Sequence, residues 1–349
     1  MEERLSEPTV TPAAPELLAE SREGVATVTL NRPEVHNALS ERMLRGLATL
    51  LDDWQDDPAI EAVHLRGAGS RAFCAGGDIR ALHREMSADA DGHHQFFQLE
   101  YSLDYRIHTY PKPVTAFIDG IVMGGGMGIA QGARRRIVGD RTRMAMPETI
   151  IGLFPDVGAS WFLPRCPGRI GLYLGLLGPT INAADALYAG LADEYRSSQR
   201  EQPEPGELEK LRPLVDRHFG GDSVLDIVRS LEAESSPDQR EWARATAAAL
   251  RARSPTLLCV TFEQLRRGAT MALADCFRME LDLIHGCFDQ GDIVEGIRAR
   301  IVDKDNTPRW RPPTLEEVAP ESVERFFRSR WAPDRHPLAH LGKEGRKSP

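Results

Sequence analysis

The stretch from Val114 to Arg165, VTAFIDGIVMGGGMGIAQGARRRIVGDRTRMAMPETIIGLFPDVGASWFLPR, constrains the fold more than any other part of the chain. Val114 to Ile118 is a short, β-branched apolar run and predicts a buried strand. Asp119-Gly120 follows, then three consecutive glycines, Gly124, Gly125 and Gly126. Three glycines fill no core and cost backbone entropy, so they suit a place where main chain comes close to something else. Met127 to Ala133 is small and apolar and predicts a helix. Glycines that end a strand and open a helix leave the first helical N–H groups unpaired, a donor site suited to an oxygen.

Further along, Met146-Pro147-Glu148 and Phe154-Pro155-Asp156-Val157-Gly158 place two carboxylates eight residues apart. The two prolines break any continuous helix, so both acids are expected on loops flanking Ile150 to Leu153. Acids buried among apolar residues have raised pKa values and serve as bases or nucleophiles near neutrality. The plainer structural reading makes Glu148 a turn cap and Asp156 a helix N-cap before Val157 to Leu163.

A chain of 349 residues can build one large domain with an appendage, or two domains. The formal net charge of −9 argues against nonspecific nucleic-acid binding. Arg134-Arg135-Arg136 reads as a solvated loop. Cysteines 74, 166, 259, 276 and 287 form no CxxC pair and no Cys/His ligand set, so they read as reduced thiols and no metal site is expected. The first residues, MEERLSEPTVTPAAPELL, show no hydrophobic signal core or arginine-rich amphipathic pattern, and no apolar run approaches the length of a membrane span. A cytoplasmic location is the expectation, with no membrane or nucleic-acid partner.

Along the chain, residues 1–15 are expected to be a disordered tail and 16–196 the core that carries the site. Residues 197–206, SSQREQPEPG, read as a linker, and 207–349 as a helical region. Val25 to Leu30 alternates like a strand, and Ser40 is a plausible N-cap for a helix with Met43, Leu44, Leu47 and Leu51 on one face. Phe96 to Ile107 predicts a helix that Pro111 and Pro113 stop before the central strand; Glu100 within it reads by spacing as an exposed acid. Helices are also expected over Gly168 to Leu177, Ala183 to Leu191 and Glu241 to Arg251, with another opening at Ser254-Pro255. Phe277, Leu281 and Ile284 mark the inner face of one more. Arg298 and Asp303 to Asn306 read as polar loop or helix-end residues.

A second glycine-rich turn follows the predicted strand Ala62 to Leu65 and runs from Gly67 to Asp78. Gly67-x-Gly69-x-x-Ala72 superficially matches a dinucleotide fingerprint, but its glycines lead into Phe73-Cys74 and more glycine instead of opening a helix. Cys74 reads as a small buried thiol. Two strand-ending glycine turns could each offer a backbone N–H to one carbonyl oxygen, and losing one such donor typically costs ~100- to 1,000-fold in rate. Thioester chemistry needs such a hole and one or two acids.

These residues carry a family resemblance. Phe73-Cys-Ala-Gly-Gly-Asp78, Met123-Gly-Gly-Gly126 and Met146-Pro-Glu148 resemble the crotonase, or enoyl-CoA hydratase/isomerase, superfamily. His108-Thr-Tyr-Pro-Lys-Pro113, Asp119 to Gly126, Pro147 to Gly158, and Glu295-Gly-Ile-Arg298 with Asp303-Lys-Asp305 are similar to its 3-hydroxyisobutyryl-CoA hydrolase branch. The resemblance runs from about residue 16 to 327. It implies an α/β fold, a crotonase-like spiral of ββα units with a helical C-terminal region. It places the oxyanion donors at the N–H groups of Gly77 and Gly125 and the catalytic acids at Glu148 and Asp156. Glu100, Ala75, Gly76, Asp78 and Ile79 would bind substrate.

Family hydratases carry a first glutamate where this chain has Gly128, so addition of water to a double bond by two glutamates is not expected. The resemblance implies hydrolysis of a short 3-hydroxyacyl-CoA thioester, 3-hydroxyisobutyryl-CoA foremost, in valine breakdown. Glu148 would be base or nucleophile and Asp156 would orient water or the substrate hydroxyl, or the two would exchange roles. Coenzyme A enters as part of the substrate, with no separate cofactor, and a homo-oligomer is expected. Glu34 stands where the family often has lysine, and Trp161 follows Asp156 closely enough to be expected at the acyl pocket. The alternatives are an enoyl-CoA isomerase working through Glu148 alone and an acyl-CoA-binding protein without turnover.

Overall fold

The computed structural model describes residues 15–78 and 92–343. The expected tail, apart from Pro15, and the site assignment of Ile79 lie outside the described residues. The chain opens with β1 (Leu17–Arg22) and β2 (Val25–Leu30), paired antiparallel with Arg22 opposite Val25. The two-residue turn between them, Glu23-Gly24, has positive φ at both positions, as a tight hairpin requires. Helix α1 (Glu41–Gln55) starts where the sequence places it, and Ser40 Oγ accepts the Met43 N–H at 3.1 Å.

Three strand pairs then wind in a spiral. The leading strands β3 (Ala62–Gly67), β5 (Val114–Ile118) and β7 (Arg135–Val138) lie side by side in a six-stranded sheet of order β1-β2-β3-β5-β7-β9, where β9 is Glu194–Tyr195. The trailing strands β4 (Ala72–Cys74), β6 (Ile121–Met123) and β8 (Arg143–Ala145) form a second, parallel sheet. Parallel neighbours need a crossover, and α2 (Gly92–His108) and α3 (Gly125–Gly132) lie in the first two. The Gly67–Gly69 turn joins β3 to β4 and opens no helix, so the dinucleotide geometry is absent there.

Two local expectations change. The helix after the glycine run begins at Gly125, so two of the three glycines are helical and Gly124 (φ +49) is its N-cap. Arg135 and Arg136 belong to β7 rather than to a loop, and Arg136 Nη2 bonds Asp193 Oδ1 at 2.6 Å beside β9.

Beyond β9 the described structure is mostly helical, and the helices Pro255–Gly268 and Leu273–Gln290 pack against the short helix Ala159–Phe162. Ser254 Oγ caps the first of these through the Leu257 N–H, with Pro255 at the first helical position. Phe277, Leu281 and Ile284 face the core as their spacing predicts. No helix among the described residues is long and apolar enough to cross a membrane.

Candidate active site

Because β4 and β6 are parallel neighbours, the two glycine turns at their C-terminal ends meet. A side chain at Gly76 (φ +99) would stand 3.0 Å from the Met123 carbonyl oxygen and 3.4 Å from the Gly125 nitrogen, so only glycine permits this approach. Leu39 donates its N–H to the Gly76 carbonyl (2.8 Å) and accepts from the Asp78 N–H (3.1 Å). Strand alternation therefore turns the N–H of Gly77, between them, to the opposite side. Gly125 is the first residue of α3, so its N–H has no intrahelical partner.

Both glycines line one cavity of about 340 Å³. Ala75, Gly76 and Asp78 line it too, and the Asp78 carboxylate is held by Arg32 Nη2 at 3.2 Å. The three acids singled out in the sequence, Glu100, Glu148 and Asp156, converge on the same space and are 2, 7 and 4% exposed. The reading of Glu100 as an exposed helical acid is thus corrected: α2 packs against the glycine face of α3 and carries Glu100 inward. A side chain at Gly125 would collide with the Glu100 carboxyl.

Asp156 is not a helix cap. Its Oδ2 accepts a 2.7 Å hydrogen bond from Tyr101 Oη, while the capping role falls to Glu280 from the Leu273–Gln290 helix. Glu280 accepts from the Gly158 N–H (2.7 Å), the Ser160 N–H (2.9 Å) and the Ser160 hydroxyl (2.6 Å). Glu148 opens a 3-10 turn, and its Oε2 is buried without a hydrogen-bond partner among the described residues.

Burial sets the electrostatics. It raises the Asp156 carboxyl to about 6, and the Tyr101 hydroxyl, with the backbone N–H of Asp156 itself, holds it back from going further. Burial and then the Asp156 charge push Glu100 and Glu148 well above the carboxylate range. The first ionisation in the cluster therefore falls on Asp156. Burial also pushes the Cys74 thiol up to about 12, consistent with an inert core cysteine.

Sequence reasoning missed Tyr101, Asp104 and Glu280. Tyr101 and Glu280 sit on helix faces that carry core residues, and an acid on such a face, three residues from Phe277, is the signal that marks Glu280. Trp161 is displaced from its expected place: it lines a separate small cavity, packs edge-on to His108 and lies under the Arg165 guanidinium. Ile301, from a π-helical turn at Arg298–Val302, adds a wall that spacing did not foretell.

The spiral of paired strands, with two glycine turns meeting at its active face, defines the crotonase class of α/β proteins. The Enoyl-CoA hydratase/isomerase family model matches residues 25–202 and 195–327, and the chain belongs to that family. It is 37% identical to the mitochondrial 3-hydroxyisobutyryl-CoA hydrolase of Gallus gallus, over 91% of this chain and 90% of that one. It is also 37% identical to the mitochondrial 3-hydroxyisobutyryl-CoA hydrolase-like protein 1 of Arabidopsis thaliana, over 86% and 83%.

Among solved structures, a carnitinyl-CoA dehydratase from Mycobacterium thermoresistibile matches at 36% identity and TM-score 0.86, over 95% of this chain and 99% of that one. An enoyl-CoA hydratase from Rhodobacter sphaeroides 2.4.1 matches at 37% and 0.83, over 90% and 97%. The expected cytoplasmic location does not stand, because the vertebrate relatives are named as mitochondrial proteins. Composition of the first residues is a poor guide to compartment, since an address is read by an import receptor and leaves no mark on the fold.

Proposed function

We propose that this protein hydrolyses a short 3-hydroxyacyl-CoA thioester, 3-hydroxyisobutyryl-CoA foremost, and so acts in valine breakdown. The observation that carries the reading is the meeting, in one cavity, of two glycine turns with Glu148 and Asp156 while position 128 is closed to any side chain. A methyl group at Gly128 would stand 2.7 Å from Val157 Cβ and 2.8 Å from Asp104 Cγ. A hydratase glutamate does not fit there. The names of the curated relatives support the hydrolase reading over the hydration chemistry in the titles of the two solved structures.

In this reading the N–H groups of Gly77 and Gly125 hold the thioester oxygen and stabilise the tetrahedral oxyanion. Asp156, ionised first, takes a proton from water as the water oxygen bonds to the carbonyl carbon. The C–S bond breaks, and Glu148 gives its proton to the departing sulfur. Proton return from Asp156 to Glu148 resets the pair, and the carboxylic acid product loses one proton to solvent. This exchanges the roles first suggested for the two acids. Glu100, with the backbone of Ala75, Gly76 and Asp78, binds the acyl group and the thioester arm.

Coenzyme A is part of the substrate, and no separate cofactor is invoked. The division at residues 197–206 and a homo-oligomeric state belong to the same proposal. The test is release of coenzyme A thiol from 3-hydroxyisobutyryl-CoA by wild type, Glu148→Gln and Asp156→Asn, with loss of the crotonyl-CoA enoyl absorbance as control. Thiol release lost by ~100-fold or more in both variants supports the reading. An enoyl change without thiol release transfers the chemistry to an isomerase or hydratase. Binding without either signal makes the protein a non-catalytic acyl-CoA carrier.

A further inference from the structure

Glu100, Asp104 and His108 are spaced by four on α2 and so share one face of the helix, about one turn apart. The line begins in the substrate cavity, which Glu100 lines, and ends at His108, which is exposed. Asp104, between them, is 1% exposed, and neither of its carboxyl oxygens has a hydrogen-bond partner among the described residues. It lines a second cavity of about 10 Å³ together with His108, Gly128, Gln131 and Trp161. That volume is close to what one water occupies. A costly buried acid that is spent on no structural bond, set between a reaction site and an exposed histidine, calls for a function.

We propose that Glu100, Asp104 and His108 form a proton exit behind the acid cluster, through which the proton released in thioester hydrolysis reaches solvent. The proposal rests on the hydrolase reading of the front cavity. Hydrolysis adds water across the C–S bond, giving a thiol and a carboxylic acid; at neutral pH the acid ionises, so one proton leaves per turnover. In that reading the acyl-CoA enters through the front cavity, on the side of the site away from Asp104. Glu100 passes its proton to a carboxyl oxygen of Asp104, Asp104 passes one on to a His108 ring nitrogen, and His108 releases it to water. Each group is reprotonated from the site side, so nothing is consumed.

The charges around the line suit it. Asp104 faces Glu100 on its own helix, Asp156 on the loop and Glu280 on the Leu273–Gln290 helix; burial and these acids keep its proton on. Glu148 and Tyr101 complete the group around Asp156. His108 is held below the usual histidine range by partial burial and by Arg136 and Arg165, so it does not retain a proton. Asp104 and His108 are positioning residues; neither lines the substrate cavity.

The experiment compares wild type, His108→Ala and Asp104→Asn in two readouts. In dilute buffer, kcat for thiol release in His108→Ala is expected to fall on the order of tenfold, below the ~100-fold a positioned proton-transfer group supplies, with KM unchanged. Added imidazole restores it. A loss that imidazole does not restore, or no loss, overturns the exit. The second readout needs no substrate: the infrared band of a protonated buried carboxyl, absent in Asp104→Asn, shifts on transfer to heavy water, and the shift is slower in His108→Ala. An unchanged shift rate overturns the proposal even where thiol release fails, whereas a slowed shift without thiol release overturns only the hydrolase reading.

Discussion

Tyr101 Oη donates a 2.7 Å hydrogen bond to Asp156 Oδ2 inside the cluster formed by Glu100, Glu148 and Asp156. The bond favours Asp156 as the acid that ionises first: its charged form gains the Tyr101 hydroxyl in addition to a backbone N–H, whereas Glu148 is helped only by a backbone N–H and burial dominates at Glu100. Tyr101→Phe removes that donor and keeps the ring. The Asp156 carboxyl, at about 6 in wild type, is expected to rise by about one unit, the worth of a hydrogen bond to a charged group. A base must be ionised, so kcat/KM falls as pH falls through this value. The acid limb of the profile therefore moves to higher pH in the variant; an unmoved limb removes Asp156 from the role of base.

Gly128 is closed by Asp104 and Val157 rather than merely small. Gly128→Ala is expected to lower stability by about 1–3 kcal/mol, the usual cost of overpacking a filled core, seen as a lower melting temperature. Gly128→Glu is expected to fail to gain crotonyl-CoA hydration, because the space a hydratase glutamate uses is taken. Measurable hydration by that variant would mean that α2 can yield, and that the absent glutamate alone separates the two chemistries.

What was legible in the sequence followed from local rules. The strands β2, β3 and β5, the Ser40 cap and the Ser254-Pro255 start each rest on alternation or capping chemistry within a few residues. β1 was not legible: LLAESR is nearly all exposed and shows no alternation, and only its pairing with β2 makes it a strand. The acids were legible as residues but not as a cluster. The burial of Glu100 depends on the stripe Gly125, Gly128 and Gly132, which lets α2 approach α3, a relation between two helices. Trp161 shows the converse, since closeness to Asp156 in sequence gave no closeness to the cavity.

Glu280 is fully buried and is raised to about 8, chiefly by burial, although it accepts bonds from Gly158 and Ser160. A folded value above the unfolded one means that the native state binds the extra proton, so this group's contribution to stability is complete below about pH 4 and is lost as pH rises toward 8. Glu280→Gln keeps the shape but loses acceptor capacity at one end. Its melting-temperature deficit against wild type is expected to be largest near pH 5 and to shrink toward pH 8. A deficit that grows with pH would show that the carboxylate, not the acid, is the form the fold prefers.

Arg298 bonds both oxygens of Glu295 (2.9 and 2.8 Å), Asp303 (2.6 Å) and Asp305 (2.7 Å), tying the loop after the π-helical turn back onto the turn itself. That turn projects Ile301 into the wall of the substrate cavity. Arg298→Ala leaves three carboxylates facing one another and frees the loop. Exposed ion pairs contribute little singly, so the melting temperature is expected to change slightly while the wall loses its position. The expected kinetic result is a several-fold rise in KM for the acyl-CoA with kcat retained, partly reproduced in wild type by high salt. Arg298 holds Glu295 down to about 2, so the clamp persists through the range in which Asp156 titrates and does not itself shape the acid limb of the rate profile. A fall in kcat with KM unchanged would instead place Arg298 in support of the acids themselves.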